Sequence, residues 1–393
     1  MKNKISIIIP VYNIGKELEK TLNSLIKQTI GIEKLEIIIV NDCSTDDTAD
    51  IIKKYTDKYD NFIEITLHQN SGLPGKPRNI GLRTATSEFI MFMDHDDCYA
   101  EDAMETLYNK ITEENADMVF CNFKFVFDDG AAKNISTYKN KPEIKIETIE
   151  NDTDFLALSP SIWTKMFRRS FILENNILFP EGILAEDLSF FINSLLKANG
   201  IIFLNNYYGY YYRIRNTELD KSTIHIRNKK YLYAMILGYI DTYNILIQNK
   251  KDKYFPVIFN GHLEYWMKCF VMGDITRSEK IELLNEVAFL FKKLSKFSFN
   301  MNESYLLLFN KIKNDEFNDA ILISEVSSVF IKKELYLQNQ QLKLQKANQD
   351  LKKDNQDLKK VNHSYNDKIQ KMETSNSWKL TKPLRIVVSS IKK

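Results

Sequence analysis

The chain has 393 residues, of which 44% are hydrophobic and 27% are charged, a composition that excludes global disorder and predicts two or three globular domains. Its net charge of +2 is uneven, because residues 332–373 carry +4 and residues 374–393 carry +5, which leaves −7 for residues 1–331. The acidic body argues against nucleic acid as a partner, whereas the basic end is suited to an anionic surface.

The cysteines and the amino terminus indicate a cytoplasmic protein. The four cysteines form no CxxC pair and no metal-ligand spacing, so we expect reduced thiols at Cys43, Cys98, Cys121 and Cys269. The first ten residues contain a short apolar run but lack the long hydrophobic region and the cleavage site of a signal peptide. No run approaches the roughly 18 apolar residues that a membrane-spanning helix needs.

Apolar runs that alternate with helical patterns predict an α/β domain with a parallel sheet. The predicted strands are residues 5–9, 35–40, 62–67, 89–93 and 118–126. In the first intervening segment, Leu18, Leu22 and Leu25 recur at helical spacing. The second segment opens with Ser-Thr-Asp-Asp at residues 44–47, which predicts a capping-box start for the next helix.

Chemically distinctive side chains follow three of these strands. The first strand leads through Pro10 to Tyr12, the second leads to Asp42, and the fourth leads to Asp94 and Asp96 of a DxD motif. Because the carboxyl ends of parallel strands share the edge where α/β sheets bind ligands, we expect these residues to converge. An aromatic ring can stack on a base, a carboxylate can accept a uracil N–H, and a DxD pair can hold a divalent cation. Each feature alone is also typical of a strand-end cap or an acidic surface loop, so the prediction depends on all three.

Residues 70–81, with the sequence NSGLPGKPRNIG, form a glycine-rich segment between the third and fourth strands. Its glycines, Gly72 among them, would permit close approach of the backbone to a nucleotide. Arg78 could offer a planar fork of donors to phosphate or uracil oxygens. The alternative interpretation is a Gly/Pro surface turn.

An acidic pair, Glu186 and Asp187, precedes apolar residues at helical spacing and so falls in the first turn of a helix. The positive end of a helix favours the carboxylate form, which keeps a general base ready near neutral pH. The alternative is a pair of acids that only offsets the helix dipole. Residues 210–213 are predicted to be the last strand of the domain, from which Arg213 could reach a phosphate group, and the alternative is a charge at the strand edge.

From about residue 226 the periodicity becomes helical and predicts a helical domain. Beyond residue 330 a seven-residue repeat indicates a coiled coil, with one row formed by Leu337, Leu344, Leu351, Leu358, Tyr365 and Met372. The companion row is mostly polar and is formed by Gln341, Asn348, Asn355, Asn362 and Ile369. This pattern predicts a weak, parallel, low-order homo-oligomer, and the alternative is a solitary solvated helix or a frayed tail.

The predicted organisation has four parts. They are an α/β catalytic domain at residues 1–225, a helical domain at 226–330, a coiled coil at 331–373 and a basic amphipathic tail at 374–393. The tail interleaves cations with Trp378 and other bulky apolar residues and contains no acid. It could therefore lie on an anionic membrane face, and the alternative is a disordered end or a packed cap of the oligomer.

Residues 1–220 resemble a family 2 glycosyltransferase with the GT-A nucleotide-sugar fold, on the strength of the strand ends and the acidic pair. The segment at residues 70–81 resembles the form found in wall teichoic acid N-acetylglucosaminyltransferases and related surface-polymer transferases. The resemblance implies that Asp187 deprotonates the acceptor hydroxyl and that Glu186 supports or orients it. It implies a nucleotide-sugar site at Pro10, Tyr12, Asp42, Gly72, Arg78 and Asp94. It also implies a Mn²⁺ or Mg²⁺ site at Asp96, Asp94 and His225.

Two histidines have weaker assignments. His225 occupies a position where some members of the resembling family place a metal or phosphate contact, but a lone histidine is more often a loop or packing residue. His95 lies inside the DxD motif, and its side chain is expected to point away from the metal.

The implied reaction is an inverting, metal-dependent transfer of N-acetylglucosamine or another hexose from a UDP-sugar. The acceptor would be a hydroxyl group of a bacterial surface glycan, a wall or capsular polymer, or a lipid-linked glycan. Flagellin-type protein O-glycosylation and a non-catalytic sugar-nucleotide scaffold are the alternatives. The coiled coil and tail would assemble the enzyme and place it peripherally at the inner membrane face.

Overall fold

The computed structural model describes residues 3–135, 138, 141–214 and 227–375. By internal contacts the chain divides into two compact units, residues 1–324 and residues 325–393. The first unit combines a β-sheet with helices, and the described part of the second unit is the continuation of one long helix.

The sheet brings together ten strands of the described chain. They are β1 (Ile5–Val11), β2 (Leu35–Asn41), β3 (Phe62–Thr66), β4 (Phe89–Phe92), β5 (Cys98–Tyr99), β6 (Met118–Phe127), β7 (Ala132–Ile135), β8 (Ile144–Ile146), β9 (Lys165–Arg168) and β10 (Ile201–Ile214). Their order is β3-β2-β1-β4-β9-β6-β10-β5, with β7 beside β6 and β8 beside β10. Strand β1 runs parallel to both β2 and β4, and β6 runs parallel to β10.

The predicted α/β class is confirmed, and all five predicted strands are present and run in the same direction, but the sheet also contains antiparallel strands and is therefore mixed. Strand β9 lies between β4 and β6 and runs antiparallel to both. It has only four residues and carries Lys165 and Arg168 at its ends, so its sequence lacks the long apolar run that marks the other central strands. The last predicted strand, residues 210–213, is the end of the 14-residue strand β10.

Six helices accompany these strands in the described chain. They are α1 (Leu18–Ile26), α2 (Thr48–Thr56), α3 (Gly75–Thr84), α4 (Ala103–Glu113), α5 (Arg169–Glu174) and α6 (Glu186–Lys197). In α1, the side chains of Leu18, Leu22 and Leu25 are fully buried against the sheet core, as their spacing predicts.

The predicted capping-box start of α2 at residues 44–47 is wrong. The helix begins at Thr48, whose N–H donates to Asp46 Oδ1 at 3.1 Å. The residues before it are engaged elsewhere, because Ser44 Oγ accepts the N–H of Asn13 at 3.1 Å and the Thr45 N–H donates to Asn13 Oδ1 at 2.8 Å. These bonds fasten the end of β1 to the loop after β2, a long-range use of polar side chains that competes with local capping.

Four further α-helices of the described chain lie entirely within the first unit. They are α7 (Lys229–Gln248), α8 (Phe255–Met272), α9 (Arg277–Leu294) and α10 (Glu303–Lys313). Their shared core contains Trp266, which is fully buried and donates its indole N–H to the Leu232 carbonyl oxygen at 2.9 Å. Since these helices belong to the same compact unit as the sheet, the domain boundary near residue 225 stays a prediction.

The predicted coiled-coil segment lies within helix α11 (Phe317–Thr374), which has 58 residues. All six apolar residues of the heptad row are exposed, between 55% for Leu337 and 65% for Leu344. Their pairing with a second chain stays a prediction. Residues 376–393 of the basic tail and His225 lie outside the described part of the chain. No helix of the described residues is long and apolar enough to span a membrane.

Candidate active site

The ends of β1, β2 and β4 meet at one edge of the sheet. The backbone N–H of Asp42 donates to the Val11 carbonyl oxygen at 2.8 Å, and the N–H of Met93 donates to the Ile8 carbonyl oxygen at 3.0 Å. Tyr12, the first residue after β1, is 43% exposed, so its ring is available to a ligand at this edge. The structure thus brings together the three strand ends that the sequence predicted to converge.

Asp42 is buried and holds the beginning of the glycine-rich segment. Its Oδ1 accepts the N–H of Ser71 and its Oδ2 accepts the Ser71 hydroxyl, both at 2.8 Å. The Gly72 N–H donates to Asn70 Oδ1 at 2.6 Å, which closes the turn. Because each carboxylate oxygen can accept more than one hydrogen bond, Asp42 keeps capacity for a ligand while it positions this loop.

Gly75 serves protein packing, although the sequence suggested nucleotide contact for the glycines of this segment. A Cβ atom on Gly75 would lie 2.5 Å from the carbonyl oxygen of Pro180. Next to it, the Asn79 amide group donates to the Phe179 carbonyl oxygen at 2.8 Å and accepts the Phe179 N–H at 2.9 Å. Helix α3 is therefore joined to the segment that leads into α6, and this sets the distance between the glycine-rich segment and the acidic pair.

Arg78 connects the DxD motif to the acidic pair. Its Nη2 donates to Asp94 Oδ1 at 2.8 Å and its Nη1 donates to Glu186 Oε1 at 2.6 Å. The Arg78 side chain is only 6% exposed. Sequence reasoning placed these three residues in one site but assigned the guanidinium to ligand oxygens, whereas both of its terminal nitrogens bind carboxylates.

Burial and neighbouring charges shift the ionisation of this cluster. Burial raises the pKa of Glu186 to about 7, with the nearby Asp187 charge adding to that rise and the Arg78 cation opposing it. Burial also raises the pKa of Asp187, again against the effect of Arg78. The pKa of Arg78 is raised because Asp94, Glu186 and Asp187 together outweigh the burial that disfavours its charge.

The two acids at the start of α6 face different surroundings. Glu186 is 6% exposed and its carboxylate is tied to Arg78, whereas Asp187 is partly exposed. Asp187 Oδ1 accepts the N–H of Leu188 at 2.8 Å, which fixes the carboxylate at the helix end. Asp187 is therefore the more accessible carboxylate of the pair, and Glu186 is the one that is bound to Arg78.

Asp97, directly after the DxD motif, is a buried residue that sequence reasoning did not assign. It is 1% exposed, and its carboxylate accepts the Tyr210 hydroxyl at 2.9 Å and the Arg213 N–H at 2.8 Å. Burial, together with Asp96 and Asp94, raises its pKa well above the usual value. The Arg213 side chain donates to the Asp96 carbonyl oxygen at 3.3 Å, so β10 holds the acidic loop in place. Tyr210 and Arg213 lie 113 and 116 residues from Asp97 along the chain, so no local sequence pattern could have indicated these bonds.

Lys165 is a second buried residue that sequence reasoning left without a role. It is 1% exposed, and its Nζ donates to the carbonyl oxygens of Ser159 at 3.0 Å and Ser161 at 2.8 Å. Burial lowers its pKa to about 7, and the nearby Asp187 charge opposes that shift. The sequence feature that could have drawn attention to Lys165 is its position at the start of a short strand, directly after an apolar turn.

The His95 side chain contacts the backbone of β1. Its Nδ1 lies 3.1 Å from the carbonyl oxygen of Pro10 in β1 and donates to it in the corresponding tautomer. Pro10 thus contributes its backbone to the support of the DxD loop. Among the described residues, no group of three or more His, Cys, Asp or Glu side chains forms a metal site.

A mixed α/β sheet carries an exposed aromatic residue, an acidic loop and a helix-end carboxylate pair at one edge, where sheets of this class bind ligands. The chain belongs to glycosyl transferase family 2. The model of that family matches residues 6–175. Glycosyltransferase GlyG of Streptococcus pneumoniae is 30% identical over 236 residues, which cover 56% of this chain and 76% of GlyG.

Two longer relatives act on a poly(ribitol-phosphate) polymer according to their names. Poly(ribitol-phosphate) β-N-acetylglucosaminyltransferase TarS of Staphylococcus aureus is 33% identical over 264 residues, which cover 67% of this chain and 44% of TarS. A poly(ribitol-phosphate) β-glucosyltransferase of Bacillus spizizenii is 34% identical over 265 residues, covering 67% of this chain and 40% of that enzyme. The chain thus spans less than half the length of each.

The fold agrees with that of TarS. The crystal structure of TarS residues 1–349 in complex with UDP-GlcNAc superimposes with a TM-score of 0.66 and 26% sequence identity. The alignment covers 82% of this chain and 90% of that structure. Because more than four fifths of this chain is covered, the agreement extends beyond the 220 residues on which the sequence resemblance was based.

Proposed function

We propose that this glycosyltransferase moves N-acetylglucosamine or another hexose from a UDP-sugar to a hydroxyl group of a bacterial surface polymer, with inversion at the anomeric carbon. The observation that carries the proposal is the Arg78 bridge. It holds the Asp94 carboxylate of the DxD motif and the Glu186 carboxylate beside Asp187 in one cluster. A diphosphate clamp and a general base are thereby adjacent, which is what a single displacement at a sugar nucleotide requires.

In the proposed reaction Asp187 accepts the proton of the acceptor hydroxyl. The resulting oxygen nucleophile attacks the anomeric carbon from the face opposite UDP, and the bond to the β-phosphate oxygen breaks. Tyr12 stacks on the uracil ring, and Asp42 accepts the uracil imide N–H. Arg78 contributes positive charge beside the acids, and Glu186 keeps Asp187 at the helix end.

Asp94 and Asp96 fit a divalent cation that shares its coordination with the donor diphosphate. Mg²⁺ and related hard cations are commonly held by one or two carboxylates together with substrate phosphates, so a three-residue protein cluster is not needed. One oxygen of Asp94 binds Arg78, and the other can serve as a ligand beside Asp96. When bound, Mn²⁺ or Mg²⁺ would neutralise charge on the departing UDP. His225 stays a candidate third ligand from sequence alone.

A donor and metal panel tests the proposal. We expect turnover of UDP-GlcNAc or another UDP-hexose with Mn²⁺ or Mg²⁺, with loss of that turnover in EDTA and in Asp96→Asn. Glu101→Gln, an exposed acid five residues further on, should retain activity. Full turnover in excess EDTA would refute the metal requirement, and turnover of no UDP-sugar would refute the proposed donor class.

Asp42→Ala should weaken UDP binding at least about tenfold, because it removes both a uracil acceptor and the support of the glycine-rich turn. Calorimetry measures this directly. Ser71→Ala is the matched variant, since it loses the hydroxyl bond to Asp42 but keeps the carboxylate. A smaller loss in Ser71→Ala supports direct recognition of uracil by Asp42, whereas equal losses mean that Asp42 only supports the turn. Equal binding of GDP and UDP would contradict uracil recognition altogether.

We also propose that α11 joins two chains in parallel and that the basic tail brings the cytoplasmic enzyme to the inner membrane face. In a parallel, in-register pair the three asparagines of the companion row face their own copies, which satisfies their amide groups. An antiparallel pair would set these asparagines against leucines of the heptad row. Joined active sites gain effective concentration on a repeating or lipid-linked acceptor.

Light scattering tests the assembly in the full-length protein. Replacing Leu344 and Leu351 together by Glu should halve the mass, because four like charges would face each other in a dimer seam. Leu342→Glu is the control, since Leu342 is equally exposed at 59% but lies off the heptad row. A monomeric wild-type protein would refute the assembly. Failure of the wild-type protein to sediment with anionic vesicles at low salt would refute the role of the tail.

A further inference from the structure

Helix α7 approaches the turn before the acidic pair more closely than any residue with a side chain would allow. A Cβ atom on Gly238 would lie 2.2 Å from the Leu184 carbonyl oxygen and 3.0 Å from the Cβ of Ala185. Contacts below 3.0 Å to backbone atoms do not occur for real Cβ atoms, so only glycine permits this approach. The backbone of α7 is therefore the surface against which the turn at residues 184–185 rests.

The turn itself has a strained backbone. Ala185 adopts a left-handed conformation with φ of +58°, which is unfavourable for a residue with a Cβ, and it provides no side-chain cap to α6. Strained backbone of this kind persists where surrounding contacts determine it. The next residues are Glu186 and Asp187, so any change in the turn moves both carboxylates.

Buried hydroxyl groups fasten the two helices one turn further along. Ser189 Oγ lies 3.0 Å from Thr242 Oγ1 and 3.3 Å from the Gly238 carbonyl oxygen. Thr242 Oγ1 donates to the same Gly238 oxygen at 3.0 Å. Ser189 is 1% exposed and Thr242 is fully buried, so water does not compete for these bonds.

We infer that Gly238, supported by Thr242 and Ser189, is a positioning residue. It sets the position of the Glu186–Asp187 pair relative to the donor site. The inference rests on the proposed function only for the roles of the two acids. It assigns to α7, in the helical region after the sheet, the task of holding the catalytic end of α6. Glu186 in turn binds Arg78, so the position of α6 is transmitted to the DxD motif through that ion pair.

Gly238→Ala and Gly261→Ala in the full-length protein form a matched test. Both add one methyl group to a helix of the same region, but a Cβ on Gly261 meets no atom within 4 Å. We expect Gly238→Ala to lower kcat for sugar transfer about 30- to 100-fold, because displacements near 1 Å in a catalytic group have effects of that size. The dissociation constant of UDP should change less than about threefold, since uracil recognition lies at β1 and β2. Gly261→Ala should match the wild type in both.

Hydrogen exchange provides a readout that does not need activity. Amides of residues 184–190 should exchange faster in Gly238→Ala and remain unchanged in Gly261→Ala. Faster exchange there with normal UDP affinity supports positioning even if no acceptor is found, so failure of the proposed reaction and failure of this inference are distinguishable. Unchanged exchange at residues 184–190 in a folded Gly238→Ala protein overturns it.

Ser189→Ala and Thr242→Val carry the test if Gly238→Ala does not fold. They remove the hydroxyl bonds without adding a group to the contact. We expect a three- to tenfold lower kcat with unchanged UDP affinity and the same local increase in exchange at residues 184–190. Wild-type exchange and turnover in both variants would leave Gly238 without a positioning role and refute the inference.

Discussion

Asp187→Asn is expected to reduce sugar transfer at least about a hundredfold while UDP affinity changes little, because general bases contribute 10²- to 10⁴-fold to such reactions. The amide keeps the size of the side chain and can still accept the Leu188 N–H. The substitution removes proton acceptance and the negative charge, while the size of the side chain and its bond at the helix end are kept. Steady-state transfer rates and UDP calorimetry on the same protein separate the chemistry from binding.

Glu186→Gln provides the contrast. Glu186 is buried against Arg78, so the neutral amide should weaken that ion pair and lower thermal stability, whereas Asp187→Asn should not. The anomeric configuration of the product supplies an independent check by NMR. Retention of the donor configuration, or equal transfer by Asp187→Asn and the wild type, would exclude Asp187 as the base of a single displacement.

Arg78→Met should lower the free energy of unfolding by about 3–5 kcal/mol, the usual cost of removing one member of a buried ion pair. The variant leaves Asp94 and Glu186 without their shared cation in a site where the Arg78 side chain is 6% exposed. Urea denaturation measures the loss. Arg83→Met, in the exposed part of the same helix, is the control and should change stability by no more than about 0.5 kcal/mol.

The loss in Arg78→Met should depend on pH. The pKa of Glu186 is about 7, so below that pH the group is increasingly protonated and has less need of a cation. Above that pH the Glu186 carboxylate is charged in the wild type. Without Arg78 the pKa of Glu186 rises further, so the folded variant must either keep Glu186 protonated or bury its charge without a cation. The difference from the wild type should therefore be larger at pH 8 than at pH 6. A loss equal to that of Arg83→Met would mean that the bridge contributes nothing.

Much of the fold was accessible from sequence because strand and helix periodicities are local. The five apolar runs became strands, and the buried leucines of α1 lie where their spacing placed them. The convergence of Tyr12, Asp42 and Asp94 followed from a general rule about parallel strands rather than from any contact. The family likewise followed from short motifs, each of which occupies a few consecutive residues.

Other features depended on contacts between distant parts of the chain. Strand β9 is too short and polar to be recognised alone, and it becomes a strand because β4 and β6 offer edges on both sides. Ser44 and Thr45 do not cap the helix as predicted, because both form hydrogen bonds with Asn13, which is more than 30 residues away. Local patterns cannot reveal which of two polar partners will prevail.

The sequence by itself determined the α/β class, the strand ends that carry the site and the membership in a glycosyltransferase family. Only the tertiary structure decided how the charged residues are used. Arg78 is 16 residues from Asp94 and 108 from Glu186, and the fold places both carboxylates within 2.8 Å of its guanidinium nitrogens. Because these side chains are removed from water, each charge needs a partner of opposite charge, which the two ion pairs supply. The need for glycine at position 238 likewise depends on the tertiary structure, because the backbone oxygen of Leu184 packs where a Cβ atom would lie.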